Sequence, residues 1–348
     1  MNRQRGRGAL AVVAGLAMFA VGCGSPEASG GGATIGDDGK LTERTELTIA
    51  IPGKQLPILA PIMAKAWKKF DERNLDVTIE TLASDEAFPL LATGKLDGIW
   101  TGPSVGLFNA VAGGADVRMV SPGNYLSEES GGGIWVSSAL LNGREFEPSM
   151  LRGKKFASSQ GNTGTSMVAF SQLLESGGVG VDEVEIVTMS ASDAVPALEN
   201  GSISGAIVQE PLDVALEKNN SAVRVSPQFP DGWNNTTLLF GPSLLRDNPD
   251  AGKVFVAALR STFVDKLQGD YLADPERVAD IAEQLEQPVE TLQQSTSDLY
   301  PTELSFPDEY VATHEQVWRQ WPDLLTYDEP LTTEQVIDTQ FMDWANEH

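Results

Sequence analysis

The chain has one cysteine and two histidines in 348 residues. A lone cysteine excludes an internal disulfide and any zinc site built on several cysteines. The histidines are His314 and the terminal His348, too few for a histidine metal centre. Base is also scarce: 24 lysines and arginines stand against 49 aspartates and glutamates, a net charge of −25. Such a chain is repelled by nucleic acid and by anionic lipid, so neither is expected as a partner. No Walker-type glycine-rich loop is present, and no cofactor is expected. With 41% hydrophobic and 21% charged residues the composition is globular. The length predicts one large core or two ordinary ones.

Arg3, Arg5 and Arg7 precede an apolar run from Ala9 to Ala20, about a dozen residues and too short to span a bilayer. This is signal-peptide geometry. The run ends in Ala20-Val21-Gly22-Cys23, which resembles a bacterial lipobox, and the one cysteine sits there. Residues 1–22 are therefore expected to be a lipoprotein signal peptide and Cys23 the lipidated residue. Removing residues 1–22 takes three arginines and no acid, moving the net charge from −25 to −28. Gly24 to Lys40 holds one sizeable apolar residue, Ile35, so residues 23–44 are expected to be a flexible tether. The folded body is expected from about Thr45, outside the cytoplasmic membrane and beyond the reach of ATP.

From there strand and helix patterns alternate. Leu47 to Ile51 is β-rich, and Pro57 opens a helix with one apolar face from Ile58 to Phe70. Strands are expected at 76–81, 96–100, 117–121, 155–159 and 184–188. Helices are expected at 85–93, 104–112 and 165–176. This rhythm predicts an α/β fold with largely parallel sheets. After Gly241 the pattern becomes mostly helical.

One stretch repeats. Ala83-Ser84-Asp85, Gly94 to Gly98 and Pro103 recur as Ala191-Ser192-Asp193, Gly201 to Gly205 and Pro211. Each copy reads as a capped helix, a glycine stop, a strand and a loop with proline. The period is too long for a solenoid. It predicts two similar lobes with equivalent loops, and in open α/β sheets ligands sit beyond the C-terminal strand ends. Two such lobes enclose a cleft.

The order of these features resembles the solute-binding proteins of ABC importers. The match is to the nitrate/sulfonate/taurine (NMT1/THI5-like) branch, which also contains thiamine-pyrimidine binders. The matching stretches are Pro57 to Glu80, Ala83 to Val120, Leu151 to Thr165 and Asp193 to Pro211. Asn74 and Ser204-Gly205 depart from the family pattern, which has Gly and Asp-Ala there. The resemblance implies a periplasmic-binding-protein type II fold whose lobes close on a solute. It implies a crossing of the chain between lobes at 121–127 and another at 223–233. Lobe 1 would then be residues 45–123 plus 230–348, and lobe 2 residues 124–229. It also implies delivery to a permease driven by a cytoplasmic ATPase, with the protein acting as a monomer.

The candidate site residues follow from this placement. The loop Gly161 to Gly164 is expected at a helix N-terminus, where free N–H groups favour an anion. Asn162, Thr163 and Thr165 would add donors, although the loop also reads as a plain turn. In the loop Pro52 to Leu56, Lys54 and its neighbour Gln55 would meet a ligand anion or solvent. Ser84-Asp85 and Ser192-Asp193 read first as helix caps. Thr101 and Ser104 lie in one post-strand loop, and Glu210 in its counterpart. In the resembling proteins that loop faces the cleft, where Glu210 would accept from a ligand N–H. Tyr125 and Trp233 lie at the crossings and offer flat surfaces for stacking, Trp233 the better placed. Trp135, inside a strand, reads as core, and Trp100 lies beside a loop.

The enzyme reading fails on the same inventory. Gly102-Pro103-Ser104-Val105-Gly106 fits a nucleophile pattern after a strand, but a serine nucleophile needs a histidine. His314 shares a helical stretch with Tyr310 and Trp318, which gives it a structural role. The related yeast pyrimidine synthases rely, by resemblance, on a cysteine cluster absent here. No metal site is expected. The sequence thus describes a lipid-anchored binding protein for a small anion such as a sulfonate, taurine or nitrate. A pyrimidine-like heteroaromatic is the alternative solute, and a ligand-sensing receptor the alternative role.

Overall fold

The computed structural model describes residues 32–126, 132–227, 229 and 233–348. The expected signal peptide and Cys23 lie outside them. Chain order is β1 (Thr45–Ile51), α1 (Leu59–Ala66), β2 (Leu75–Thr81), α2 (Ser84–Ala92), β3 (Gly98–Thr101), α3 (Val105–Ala112) and β4 (Arg118–Pro122). Then come β5 (Gly133–Ser137), α4 (Ser138–Leu141), β6 (Lys155–Ser158), α5 (Met167–Ser176), β7 (Glu185–Thr188), α6 (Ala191–Glu199), β8 (Gly205–Val208), α7 (Asp213–Asn219) and β9 (Ala222–Pro227). After β10 (Thr237–Phe240) the chain is helical: α8 (Pro249–Lys266), α9 (Pro275–Leu285), α10 (Val289–Leu292), α11 (Tyr310–Trp318), α12 (Thr333–Val336) and α13 (Gln340–Glu347). Among the described residues no helix is long and apolar enough to cross a membrane.

The strands form two five-stranded sheets, ordered β2-β1-β3-β10-β4 and β7-β6-β8-β5-β9. In each, one strand runs antiparallel to its neighbours: β10 in the first and β5 in the second. The remaining pairings are parallel. Position for position, β6, β7, β8 and β9 stand where β1, β2, β3 and β4 stand. Each antiparallel strand is entered as the chain arrives from the other sheet. This is the α/β, two-sheet architecture that the alternation predicts.

The internal repeat has a structural meaning. Its helices are α2 and α6, each with a proline inside, Pro89 and Pro196. Its glycine stops, Gly94 and Gly201, both take the left-handed conformation (φ +69° and +72°). Gly98 and Gly205 open the third strand of each sheet, and neither has room for a side chain. A Cβ would lie 2.9 Å from Ile49 and 3.0 Å from the Leu239 carbonyl in one sheet. In the other it would lie 2.7 Å from Phe156 and 3.2 Å from the Trp135 carbonyl.

The cores are aromatic. In the first, Phe70 stacks on Phe255 at 4.7 Å, and Phe341 of α13 meets Phe240 edge-on at 5.1 Å. In the second, Phe156 stacks on Phe170 at 4.0 Å. Trp135 is buried against the small residues Ala157, Ala206 and Ala194, as expected of a strand core position. Trp100 is also fully buried and donates its N–H to the Pro57 carbonyl at 3.3 Å, so it is core rather than a stacking surface.

Two boundaries differ from expectation. Residues 32–44 pack rather than trail: Leu41 is buried in the first core, and its carbonyl accepts from Asn74 at 2.6 Å. Ile35 pairs with Leu41 across a tight turn. Ile35 does not stand alone, because Leu41, six residues on, is its apolar partner. The helix opened by Pro57 also ends early, at Ala66, because Lys68 adopts φ +61°. Phe70 still reaches the core, through a turn.

Phe341→Ala should undock α13 from β10. Loss of a buried phenylalanine costs about 3–5 kcal/mol, read as a lower urea midpoint. A loss below about 1 kcal/mol would show that α13 does not depend on this ring.

Candidate functional site

The two sheets are joined where the chain crosses, and the crossings are hydrogen-bonded to each other. Gly123 N–H donates to the Thr236 carbonyl (2.8 Å), and Asn235 N–H to the Asn124 carbonyl (2.9 Å). The Thr236 hydroxyl donates to Asn124 Oδ1 (2.6 Å), and Asn124 Nδ2 donates to Asp298 (2.9 Å). The Thr237 hydroxyl donates to the Ser121 carbonyl (2.8 Å). Asn124, Asn234, Asn235, Thr236, Thr237 and Asp298 are all buried. Buried polar groups of this kind hold a geometry because each unmade bond is costly.

Parallel strands send their following loops to one edge, and the two edges meet. Ser104, after β3, pairs through its backbone with Gly164, after β6. A Cβ on Gly102 would lie 2.9 Å from Thr165 and 3.1 Å from the Asn235 carbonyl. The loops of the two sheets are thus in contact above the crossings.

Beside this contact lies a group of rings from α11 and the return crossing. His314 is fully buried and lies 4.6 Å from Tyr310, 5.1 Å from Trp318 and 5.4 Å from Trp233. Trp233 also lies 4.9 Å from Tyr310. His314 Nδ1 is 2.7 Å from the Tyr310 carbonyl, which can only accept, so Nδ1 carries the proton. Nε2 then accepts from the Thr165 hydroxyl at 2.7 Å. Burial lowers the His314 pKa to about 4, keeping the ring neutral.

A second focus is acidic. Glu210 is buried after β8 and accepts from the Thr296 backbone N–H at 2.7 Å. Asp213 is buried nearby, and its carboxyl is pushed up to about 7, first by burial and then by Glu210. Burial raises Asp298 well above the usual carboxylate range, Glu210 adds to this, and the bond from Asn124 opposes it. Such a cluster of buried carboxyls repels anions and favours groups that bring N–H donors.

The candidate residues divide accordingly. Ser84, Thr101, Ser104, Thr165 and Trp233 lie at or beside the meeting of the loops. The Ser84 and Thr101 hydroxyls are 3.1 Å apart. Ser104 caps α3, accepting from Leu107 N–H at 3.4 Å. Tyr125 is half-buried, with its backbone paired to Leu299. Asn162 is half-buried. Two of the hydroxyls in the expected anion loop are engaged within the protein. The Thr163 hydroxyl donates to Gln160 (2.7 Å) and that of Thr165 to His314. Gly161–Thr163 forms a 3-10 turn and α5 begins only at Met167. Met167 and Val168 N–H groups donate back to Gly164 and Thr165.

Lys54 and Gln55 are exposed, and Lys54 pairs with Glu286 at 2.5 Å. Ser192 is exposed and hydrogen-bonds Ser190, and it is Ser190 that caps α6, in place of Asp193. Asp85 falls in the first turn of α2, with its side chain outside the described atoms. Sequence reasoning missed Asn124, Asn234, Asn235, Asp213 and Asp298. The run Asn234-Asn235-Thr236-Thr237, polar yet leading into a buried strand, was the available signal. Among the described residues no cluster of metal-ligating side chains occurs.

Comparison with known proteins places this geometry. Residues 58–264 match the family described as NMT1/THI5 like. No curated protein matches the chain by sequence. Many solved structures share the fold, among them the following three. The alkanesulfonate-binding protein SsuA from Xanthomonas axonopodis pv. citri, bound to MOPS, is 17% identical with a TM-score of 0.63, covering 84% of this chain and 98% of its own. The periplasmic nitrate-binding protein NrtA from Synechocystis PCC 6803 is 13% identical with a TM-score of 0.68, covering 88% and 89%. The desulfurization enzyme DSZB is 14% identical with a TM-score of 0.58, covering 87% and 99%.

Two buried groups should shape the pH dependence of stability in opposite senses. His314 titrates near 6.5 when unfolded and about 4 here, so below about pH 6.5 the unfolded chain binds the extra proton and stability falls. Asp213 is raised from 3.8 to about 7, so its contribution is present at low pH and lost as pH rises toward 7. Each is worth up to about 1.4 kcal/mol per pH unit inside its window. The two windows overlap between about pH 4 and 6.5, where the opposite slopes largely cancel in the wild type. Urea unfolding over that range should show His314→Gln losing stability as pH rises and Asp213→Asn losing it as pH falls. Parallel profiles in all three proteins would refute the assignment.

Proposed function

Because the chain belongs to the NMT1/THI5-like family, we propose that it is the solute-binding component of an ABC importer. It works outside the cytoplasmic membrane, held there by a lipid on Cys23, as a monomer that hands its solute to a permease. The observation that carries this reading is the meeting of strand-end loops from two matched sheets above paired crossings. That arrangement suits a hinge that shifts between open and closed forms on binding. We take lobe 1 as residues 32–123 plus 230–348 and lobe 2 as 124–229. A serine-nucleophile enzyme is disfavoured: Ser104 is turned to cap α3, and His314 accepts from Thr165.

Two solute classes compete. The SsuA and NrtA structures, named for alkanesulfonate and nitrate, support a small anion. The buried Glu210, Asp213 and Asp298 support instead a neutral or cationic ligand that donates hydrogen bonds, such as an aminopyrimidine. The Thr163 and Thr165 hydroxyls are engaged within the protein and Lys54 is paired outside, so what separates the classes is the local charge of the buried carboxyls. The second class is the better supported.

Thermal shift of the full chain against taurine, alkanesulfonates, nitrate and aminopyrimidines separates them. A ligand at 100 times its dissociation constant adds ~2.7 kcal/mol. An aminopyrimidine should raise the melting temperature, and Glu210→Gln should abolish that rise. A sulfonate or nitrate shift that survives Glu210→Gln would overturn the solute class. Silence across the panel would count against the binding reading.

A further inference from the structure

We infer that α11 is the pin that holds the two lobes closed, and that His314 is its positioning residue, fixing Thr165 against the cleft. The inference rests on the hinged-closure reading and adds a residue that reading does not require.

The helix is shared between the two halves. Toward the first sheet, Trp318 meets Phe108 of α3 edge-on at 5.0 Å, and Tyr310 and Val311 are buried in the first core. Toward the second sheet, His314 holds Thr165. Gln320, just past the helix, donates to Ser171 (3.0 Å) and Glu175 (3.1 Å) of α5. Val317 enters the second core. The seams differ in kind. The first is aromatic and fully buried, so parting it exposes large apolar surface. The second joins hydrogen bonds, which water replaces with little net loss, to the smaller apolar contacts of Val317 and Trp321, so parting it exposes less apolar surface. Opening therefore parts the second seam and leaves α11 on the first lobe.

His314 is arranged for that event. Its Nδ1 is fixed to the Tyr310 carbonyl within its own helix, so the Nε2 lone pair has one direction. Thr165 arrives in that direction only when the loop after β6 comes up, and its neighbour Gly164 then pairs with Ser104. The side chains facing His314 are Tyr310 and Trp318 from its own helix, Phe108 from α3, Trp233 from the return crossing and Thr165. Tyr310 is the titratable group among them, and none is charged at neutral pH. Glu315, next on the helix, is engaged with Tyr327 and Leu331. A protonated ring would have to donate to Thr165 instead of accepting, and a cation sealed among uncharged rings is costly, so closure expels a proton from His314 and acid opposes closure.

The chain's two histidines make this measurable without any solute. Ser104→Cys with Gly164→Cys, oxidised, locks the full chain closed, and His348 serves as an internal reference in the NMR titration. His314 should titrate below about pH 5 in the locked protein and near 6.5 in the reduced one. Thr165→Ser should preserve the neutral Nε2 acceptor shift in the locked protein, and Thr165→Val should remove it. A His314 midpoint unchanged by locking, or an acceptor shift that survives Thr165→Val, overturns the pin. A second arm measures aminopyrimidine and taurine affinity at pH 7 and pH 5. Binding should weaken about tenfold on acidification in the wild type and less in His314→Gln. Locking-dependent titration with no binding of either probe would retain the pin and refute the solute assignment.

Discussion

Asn124 stands between the two crossings. Its side-chain oxygen takes the Thr236 hydroxyl, and its amide hydrogen goes to Asp298. The rest of the molecule is arranged around this buried exchange. Each sheet admits one antiparallel strand because the chain must enter it from the other sheet. The crossings bring those two strands, β5 and β10, out of a common polar seam. With the crossings tied, the parallel strands of both sheets end toward the same region, and their loops touch. The meeting of the loops is thus a consequence of connectivity first and of side-chain chemistry second.

Charge acts at two scales. The net charge of −25 sits mostly on exposed carboxylates, where salt screens it beyond roughly 10 Å. The few carboxyls that matter locally are those removed from water. Glu210, Asp213 and Asp298 share one neighbourhood, and burial raises Asp213 and Asp298 toward the neutral form. A surface rich in acid says little about the ligand. An interior that gathers acid says much more.

Much of the fold was legible because it follows from local pattern. The alternation of strands and helices, the glycine stops at 94 and 201, and the matched loops after β3 and β8 all stand where the periodicity places them. The site was legible only in part. Glu210 and Trp233 could be singled out by position, because a post-strand loop and a crossing are where ligands are met. The partner of Thr165 could not be, since His314 comes from a helix 149 residues further on and no local rule links them. Lys54 shows the opposite failure. Its loop suits a ligand, but Glu286, far away in sequence, draws the ammonium outward. Leu41 was overlooked because a single apolar residue in a polar stretch carries no period, yet it fills a place in the first core.

Gly98 and Gly205 occupy one position in two sheets and face the same obstacle, a flank of side chain on one side and a carbonyl on the other. That shared constraint sets the same close approach of strands in both halves, against different side chains. A recombinant in which one half's segment replaced the other's would meet the same spacing between strands, which is a form of modularity written into the packing.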